Sequence, residues 1–109
     1  MVQVNGTTIT MTRGDTARIS VFINDESGES YNPGVGDKIR FAMKKNYKDA
    51  SPLVLIDIPI DTMELVIEPE NTKQLEFGTY YYDIELTTAD GTVDTFIYKA
   101  KIKIDEEVH

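Results

Sequence analysis

Glu76-Phe77-Gly78-Thr79-Tyr80-Tyr81-Tyr82-Asp83-Ile84-Glu85-Leu86 is the stretch that decides the architecture of this chain. Tyr80, Tyr82, Ile84 and Leu86 fall on one side of an extended segment, while Asp83, Glu85 and Thr87 fall on the other. A period of two, apolar against polar, is the mark of a strand with one buried face. The segment just before it, Pro69 to Leu75, carries Pro where a first helical position would lie, with acidic Glu70 beside it. Together these predict one short helical turn.

A Gly-x-Tyr step after a helical turn is how immunoglobulin-like sandwiches lead into a late strand through a tyrosine corner. Gly78 and Tyr80 are therefore read as a structural corner. The Tyr80 hydroxyl is expected to bond a backbone group between Asn71 and Leu75, because a buried tyrosine needs a partner. Working outward, turn signals recur at the spacing of an all-β domain. Thr7 to Met11 follows Asn5-Gly6. Thr16 to Asn24 alternates, with Ala17, Ile19, Val21 and Ile23 inward and Phe22 outward. Lys38 to Lys44 places Ile39, Phe41 and Met43 inward, and Thr62 to Glu68 does the same with Met63, Leu65 and Ile67. Leu53 to Pro59 is apolar on both faces, so it is expected to be central or covered by something else. After the corner strand, Ala89-Asp90-Gly91-Thr92 predicts a tight hairpin. Val93 to Ile104 closes the pattern, with Phe96, Tyr98, Ala100, Ile102 and Ile104 inward and Ile97, Lys99, Lys101 and Lys103 outward. The expectation is one domain over residues 1–109, an antiparallel β-sandwich of about seven strands and one helical turn.

Composition narrows the function classes. The 109 residues hold no cysteine, which excludes disulfides and Cys-ligated metals and leaves packing as the source of stability. No apolar run approaches the roughly 18 residues a membrane span needs, and the first residues show no signal peptide, so synthesis in a cytoplasm is expected. The net charge of −8 is uneven: residues 1–55 carry +1 and residues 56–109 carry −9. Such a chain is a poor general ligand for nucleic acid or anionic membranes.

Catalytic and metal chemistry find no footing. The only histidine is His109, with nothing to orient it in a triad. Carboxylate pairs such as Asp90 with Asp94 sit at hairpin tips and lack the aromatic subsites of a glycosidase cleft. Asp25, Glu26 and Glu29 could offer oxygens to calcium but match no EF-hand spacing. Arg13-Gly14-Asp15 spells the integrin tripeptide, yet Gly14 suits a turn and Asp15 can support it, so no integrin binding is expected. No catalytic residue, cofactor or metal ligand is assigned. What stands out is apolar: the outward Phe22, Val66, Tyr81 and Ile97, with Leu53 and Leu55 of the two-faced run, as an interaction surface. The outward lysines read first as charged faces or protected edges, and could also meet the acidic half of a neighbouring copy.

One resemblance gathers these features. Thr12-Arg13-Gly14-Asp15-Thr16, Ile19-Ser20-Val21-Phe22-Ile23, Gly36-Asp37-Lys38-Ile39-Arg40-Phe41, Ile67-Glu68-Pro69-Glu70-Asn71-Thr72, Leu75 to Ile84 and Asp90-Gly91 occur in that order. The chain is similar to the N-terminal immunoglobulin-like domain of upper baseplate proteins in tailed phages of Gram-positive bacteria, and resembles small stand-alone prophage proteins of like length. The resemblance implies a non-enzymatic virion protein, tail or baseplate-associated, that acts as an adaptor through contacts with other tail proteins or with itself. It implies no small-molecule substrate. The larger baseplate proteins continue into a segment carrying receptor-binding proteins, whereas this sequence runs only to His109. The alternative is a carbohydrate-binding β-sandwich module, which would stack sugars on exposed tyrosines.

Overall fold

In a computed structural model, residues 3–24 and 27–106 are described. The elements are β1 (Gln3–Asn5), β2 (Thr8–Thr12), β3 (Ala17–Ser20), β4 (Lys38–Lys44), β5 (Val54–Ile58), β6 (Glu64–Ile67), α1 (Pro69–Thr72), β7 (Gly78–Thr87) and β8 (Val93–Asp105). Six strands form one sheet in the order β1-β2-β8-β7-β4-β5, and β3 pairs with β6 in a second. The fold is all-β, as the alternation predicts, with the short helical turn where Pro69 places it.

The inward positions of the two sheets meet in one core. Phe41, Met11 and Ile102 are fully buried, with Ile39, Met43, Leu65, Ile67, Ile84 and Ile104 around them. The Phe41 and Tyr82 rings lie 5.2 Å apart at the centre of the large sheet. The narrow sheet covers the wide one only in part. β3 ends at Ser20, but the chain keeps its course: Val21 donates its N–H to Met63, and both Val21 and Ile23 remain buried.

Four expectations are corrected. The large sheet is mixed, because β2 runs parallel to β8, with Ile9 opposite Ile102 and Met11 opposite Ile104. Alternation fixes which face a residue takes but not which strand lies beside it. Parallel neighbours need only a long connection, and here almost the whole chain intervenes. Among the described residues eight strands replace about seven, since Gln3–Asn5 forms a short hairpin arm on β2. The β7–β8 connection is a three-residue loop, Ala89 to Gly91, closed by the Thr88 N–H on the Thr92 carbonyl, with Gly91 at φ +92°. A left-handed glycine is what such a loop uses.

The fourth correction concerns the phase of β8. Ala100 faces Tyr82, but Ile97 faces Ile84, so Tyr98 and Lys99 together oppose Asp83. A second shift follows immediately, where Glu85 meets Thr95. Each extra residue is a β-bulge that turns the following side chains over. Ile97 therefore packs against the core and Tyr98 is 64% exposed, the reverse of the simple alternation. Lys99 takes φ +54°, uncommon for a residue with a side chain. Its N–H is held by Asp83 Oδ1 at 2.8 Å, which pins the bulge.

Candidate interaction surfaces

The corner is assembled from side chains that serve the backbone. Tyr80 is 3% exposed, and its hydroxyl donates to the Glu76 carbonyl at 2.7 Å, one residue beyond the expected stretch. Burial raises its pKa above the ordinary value. Gly78, at φ +141°, starts the strand where a Cβ would meet the Lys45 ammonium. Tyr80→Phe is expected to cost about 0.5–1.5 kcal/mol, the net worth of one hydrogen bond; an unchanged chemical-denaturation midpoint would remove the bond from the account.

Arg13-Gly14-Asp15 folds onto this corner. The Arg13 guanidinium lies 4.2 Å from the Phe77 ring centroid and donates to the Leu75 carbonyl at 3.2 Å. The Gly14 N–H donates to Thr72 Oγ1 at 2.8 Å, and Thr72 is wholly buried at the end of α1. Two of the three residues are thus engaged with the helical turn. Thr72→Val keeps the shape and removes the acceptor. It is expected to cost about 1–3 kcal/mol, the penalty for a buried donor left without a partner, with the loss read from urea unfolding at unchanged m-value.

The structure separates the expected interaction surface into four places. Leu53 and Leu55 are each 54% exposed; Leu55 belongs to β5 and Leu53 immediately precedes it, and β5 is an edge strand bonded to β4 alone. With Val54, Glu70, Asn71, Gln74 and Leu75 they line a shallow recess of ≈ 460 Å³. Phe22, 80% exposed, stands at the rim of a groove of ≈ 180 Å³ between the sheets, lined also by Ile9, Ile19, Leu65, Ile84 and Ile97. Ile97 belongs to the groove wall rather than to an outer face. Val66 is half-buried on β6.

Tyr81 lies elsewhere, on the outer face of the large sheet. Tyr47 meets it edge-on at 5.7 Å, and the Lys99 ammonium sits 4.4 Å from the Tyr47 centroid and 5.0 Å from the Tyr98 centroid. Tyr47, Tyr98 and Lys99 were invisible as a group in the sequence. Tyr47 falls in a polar connection, and only the bulge at Lys99 brings Tyr98 outward. A Tyr-Lys pair flanking a misfit in the alternation of β8 was the available signal.

The opposite end of the sheet is acidic and tightly bonded. Asp37 accepts from the Tyr31 hydroxyl at 2.7 Å, from Gly34 at 3.0 Å and from Ala89 at 3.1 Å, joining the loop before β4 to the β7–β8 hairpin. The Tyr31 bond, then the Gly34 N–H, lowers its pKa. Asp90 accepts from the Thr88 hydroxyl and the Thr92 N–H, which hold its carboxyl down at about 2. Among the described residues no group of three or more His, Cys, Asp or Glu side chains is placed to hold a metal. Asp25, Glu26 and His109 lie outside the described residues. No helix among the described residues is long and apolar enough to cross a membrane. No protein-family model matches the chain, and no curated protein sequence matches it.

Proposed function

We propose that this chain is a non-enzymatic phage or prophage structural protein of immunoglobulin-like fold. It would be an adaptor of the tail or baseplate, made in the bacterial cytoplasm and acting through protein–protein contacts. The sequence resemblance supports this reading, as do the two-layer arrangement and a Tyr80 bonded back to the corner it starts from. The observation that carries the adaptor role is the β5 edge. A five-residue strand with a free ladder side, a half-exposed Leu55 and a half-exposed Leu53 just before it lacks the lysines and prolines that usually blunt an edge. Asp57 is its one charge, and Arg40 pairs with it at 3.1 Å. An edge of this kind accepts a strand from a partner.

The test is incorporation. Tagged protein is expressed during phage assembly, and purified particles and tail intermediates are probed for it. Wild type is expected in tails, and Leu55→Lys with Ile56→Pro is expected to be lost from them while the isolated domain keeps its secondary structure. Absence of wild type from particles and intermediates alike would overturn the reading.

The Tyr47, Tyr81 and Tyr98 rings favour a second reading, a carbohydrate-binding module. Sugar would have to displace Lys99 from the ring faces. Binding on a glycan array that is lost with Tyr81→Ala would favour it over the adaptor.

A further inference from the structure

The cations of the large sheet are not spread evenly over its outer face. In the half nearer the start of β4, Arg40 is flanked by Asp57 on β5 and Glu85 on β7. In the other half, Lys44 and Lys101 stand on either side of Tyr81 in one cross-strand row, with Lys103 opposite Thr79 and Lys99 over the tyrosines. Strands about 4.8 Å apart place the Lys44 and Lys101 stems about 10 Å from each other. The strand carboxylates at this patch are Asp83, which already holds the Lys99 N–H, and Asp105 at its border, two residues beyond Lys103 on β8. The ion pairs Arg18–Glu64 and Arg40–Asp57 lie elsewhere. A chain of net charge −8 thus presents four lysines and three tyrosines together.

The compensating charge lies at the far end of the same sheet. Lys38, Thr87 and Val93 are aligned there, with Asp37 and Asp90 just beyond this row and Asp94 one residue inside it, opposite Leu86. Pro59 and Ile60 line a recess with Asp37, which brings Asp61 to this end as well. The depressed Asp37 and Asp90 carboxyls stay ionised through the neutral range. About six residues of strand, roughly 20 Å, separate the acidic tip from the Tyr81 row.

The geometry points to a head-to-tail contact between copies of this chain, in which the acidic tip of one copy docks on the lysine–tyrosine patch of the next. The occupant is a second copy because the molecule itself carries the complementary charge, on a tip narrow enough to meet a patch about two lysines wide. The two surfaces differ, so the contact is heterologous and leaves a free patch and a free tip at the ends of every assembly. It would propagate rather than stop at a dimer. A pairing of β5 edges about a two-fold axis would stop there. The contact does not depend on the phage reading.

Sedimentation velocity at rising protein concentration tests it. Mass is expected to grow past the dimer near 0.01 M salt and return to monomer near 1 M, because the screening length shrinks from about 30 Å to about 3 Å. Lys101→Glu with Lys103→Glu, and separately Asp61→Lys with Asp94→Lys, should each be monomeric at low salt with unchanged melting curves. Mixed in equal amounts, the two variants should form a capped dimer, since one keeps its tip and the other its patch. Wild type that stays monomeric at low salt, association indifferent to salt and to both reversals, or a mixture that fails to dimerise would each overturn the contact. Binding of a single-stranded oligo-dT to a monomeric wild type, lost with the lysine reversals, would also overturn it and give the patch to a polyanion.

Discussion

Phe41→Ala is expected to lower the unfolding free energy by about 3–5 kcal/mol, the usual range for deleting a buried aromatic side chain. The ring is fully buried, faces Ile84 on β7 and Ile56 on β5 across the ladder, and packs on Tyr82. Its environment is made by β4 and β7, each hydrogen-bonded on both sides, and by β5, bonded to β4, so collapse into the vacated space is limited. For a domain whose total stability is on the order of 5–15 kcal/mol, that loss removes a large share. The melting temperature should fall by more than about 10 °C. Phe41→Leu, which refills most of the volume, should recover much of it. A Phe41→Ala protein melting within about 3 °C of wild type would mean that the centre of the core lies elsewhere.

Phe41 is also a position the sequence made plain. It sits between Gly36-Asp37 punctuation and a clean alternation of Ile39, Phe41 and Met43, and β4 spans Lys38–Lys44 as expected. β7 was equally legible because six consecutive residues alternate without interruption. Where legibility failed, a neighbouring segment was responsible. β3 stops at Ser20 although Val21 and Ile23 continue its alternation: the Val21 N–H still reaches the Met63 carbonyl, the next position of the β3–β6 register, but Met63 sits at φ +52° and its strand begins only at Glu64. β8 reads as one uninterrupted strand, yet Asp83 draws the Lys99 N–H out of register and reverses Ile97 and Tyr98. No pattern of hydrophobicity records a side-chain carboxylate waiting on the neighbouring strand.

The surface residues were less legible than the core for a related reason. Phe22 could be read as outward from alternation alone, whereas the run from Leu53 is apolar on both faces and gives no direction; the structure leaves Phe22, Leu53 and Leu55 exposed. Whether outward residues meet one another depends on strand order. β5 lies at one edge of the large sheet and Phe22 at the opening between the sheets, so these residues form separate sites. The charge halves of the sequence mislead in the same way. Lys44 belongs to the near-neutral half and Lys101 to the acidic half, yet β4 and β8 flank β7 and place both beside Tyr81.

Tyr82 should be the second-largest single contributor, and its contribution should depend on pH. Tyr82→Ala removes a ring that is 4% exposed and stacked on Phe41, so a loss of about 3–5 kcal/mol is expected. Tyr82→Phe isolates the hydroxyl, which donates to the Thr7 carbonyl and so ties the β1–β2 turn to the middle of the sheet. That change should cost about 0.5–1.5 kcal/mol, the net worth of one hydrogen bond, since the carbonyl of the exposed Thr7 can turn to water. Burial pushes the Tyr82 pKa from 10.0 up to about 12. The folded state thus favours the neutral phenol more than the unfolded chain does. Its stabilisation is complete below pH 10 and is lost as pH rises through about 12. Denaturant titrations between those limits should show wild type losing stability faster than Tyr82→Phe, and the last tyrosinate absorbance step should vanish in the variant. Because Tyr82 and Phe41 touch, their alanine substitutions should not add; a double-mutant cycle should return a coupling of about 0.5–1.5 kcal/mol for the ring pair. Strict additivity, together with identical alkaline profiles for wild type and Tyr82→Phe, would separate Tyr82 both from the core and from the Thr7 tether.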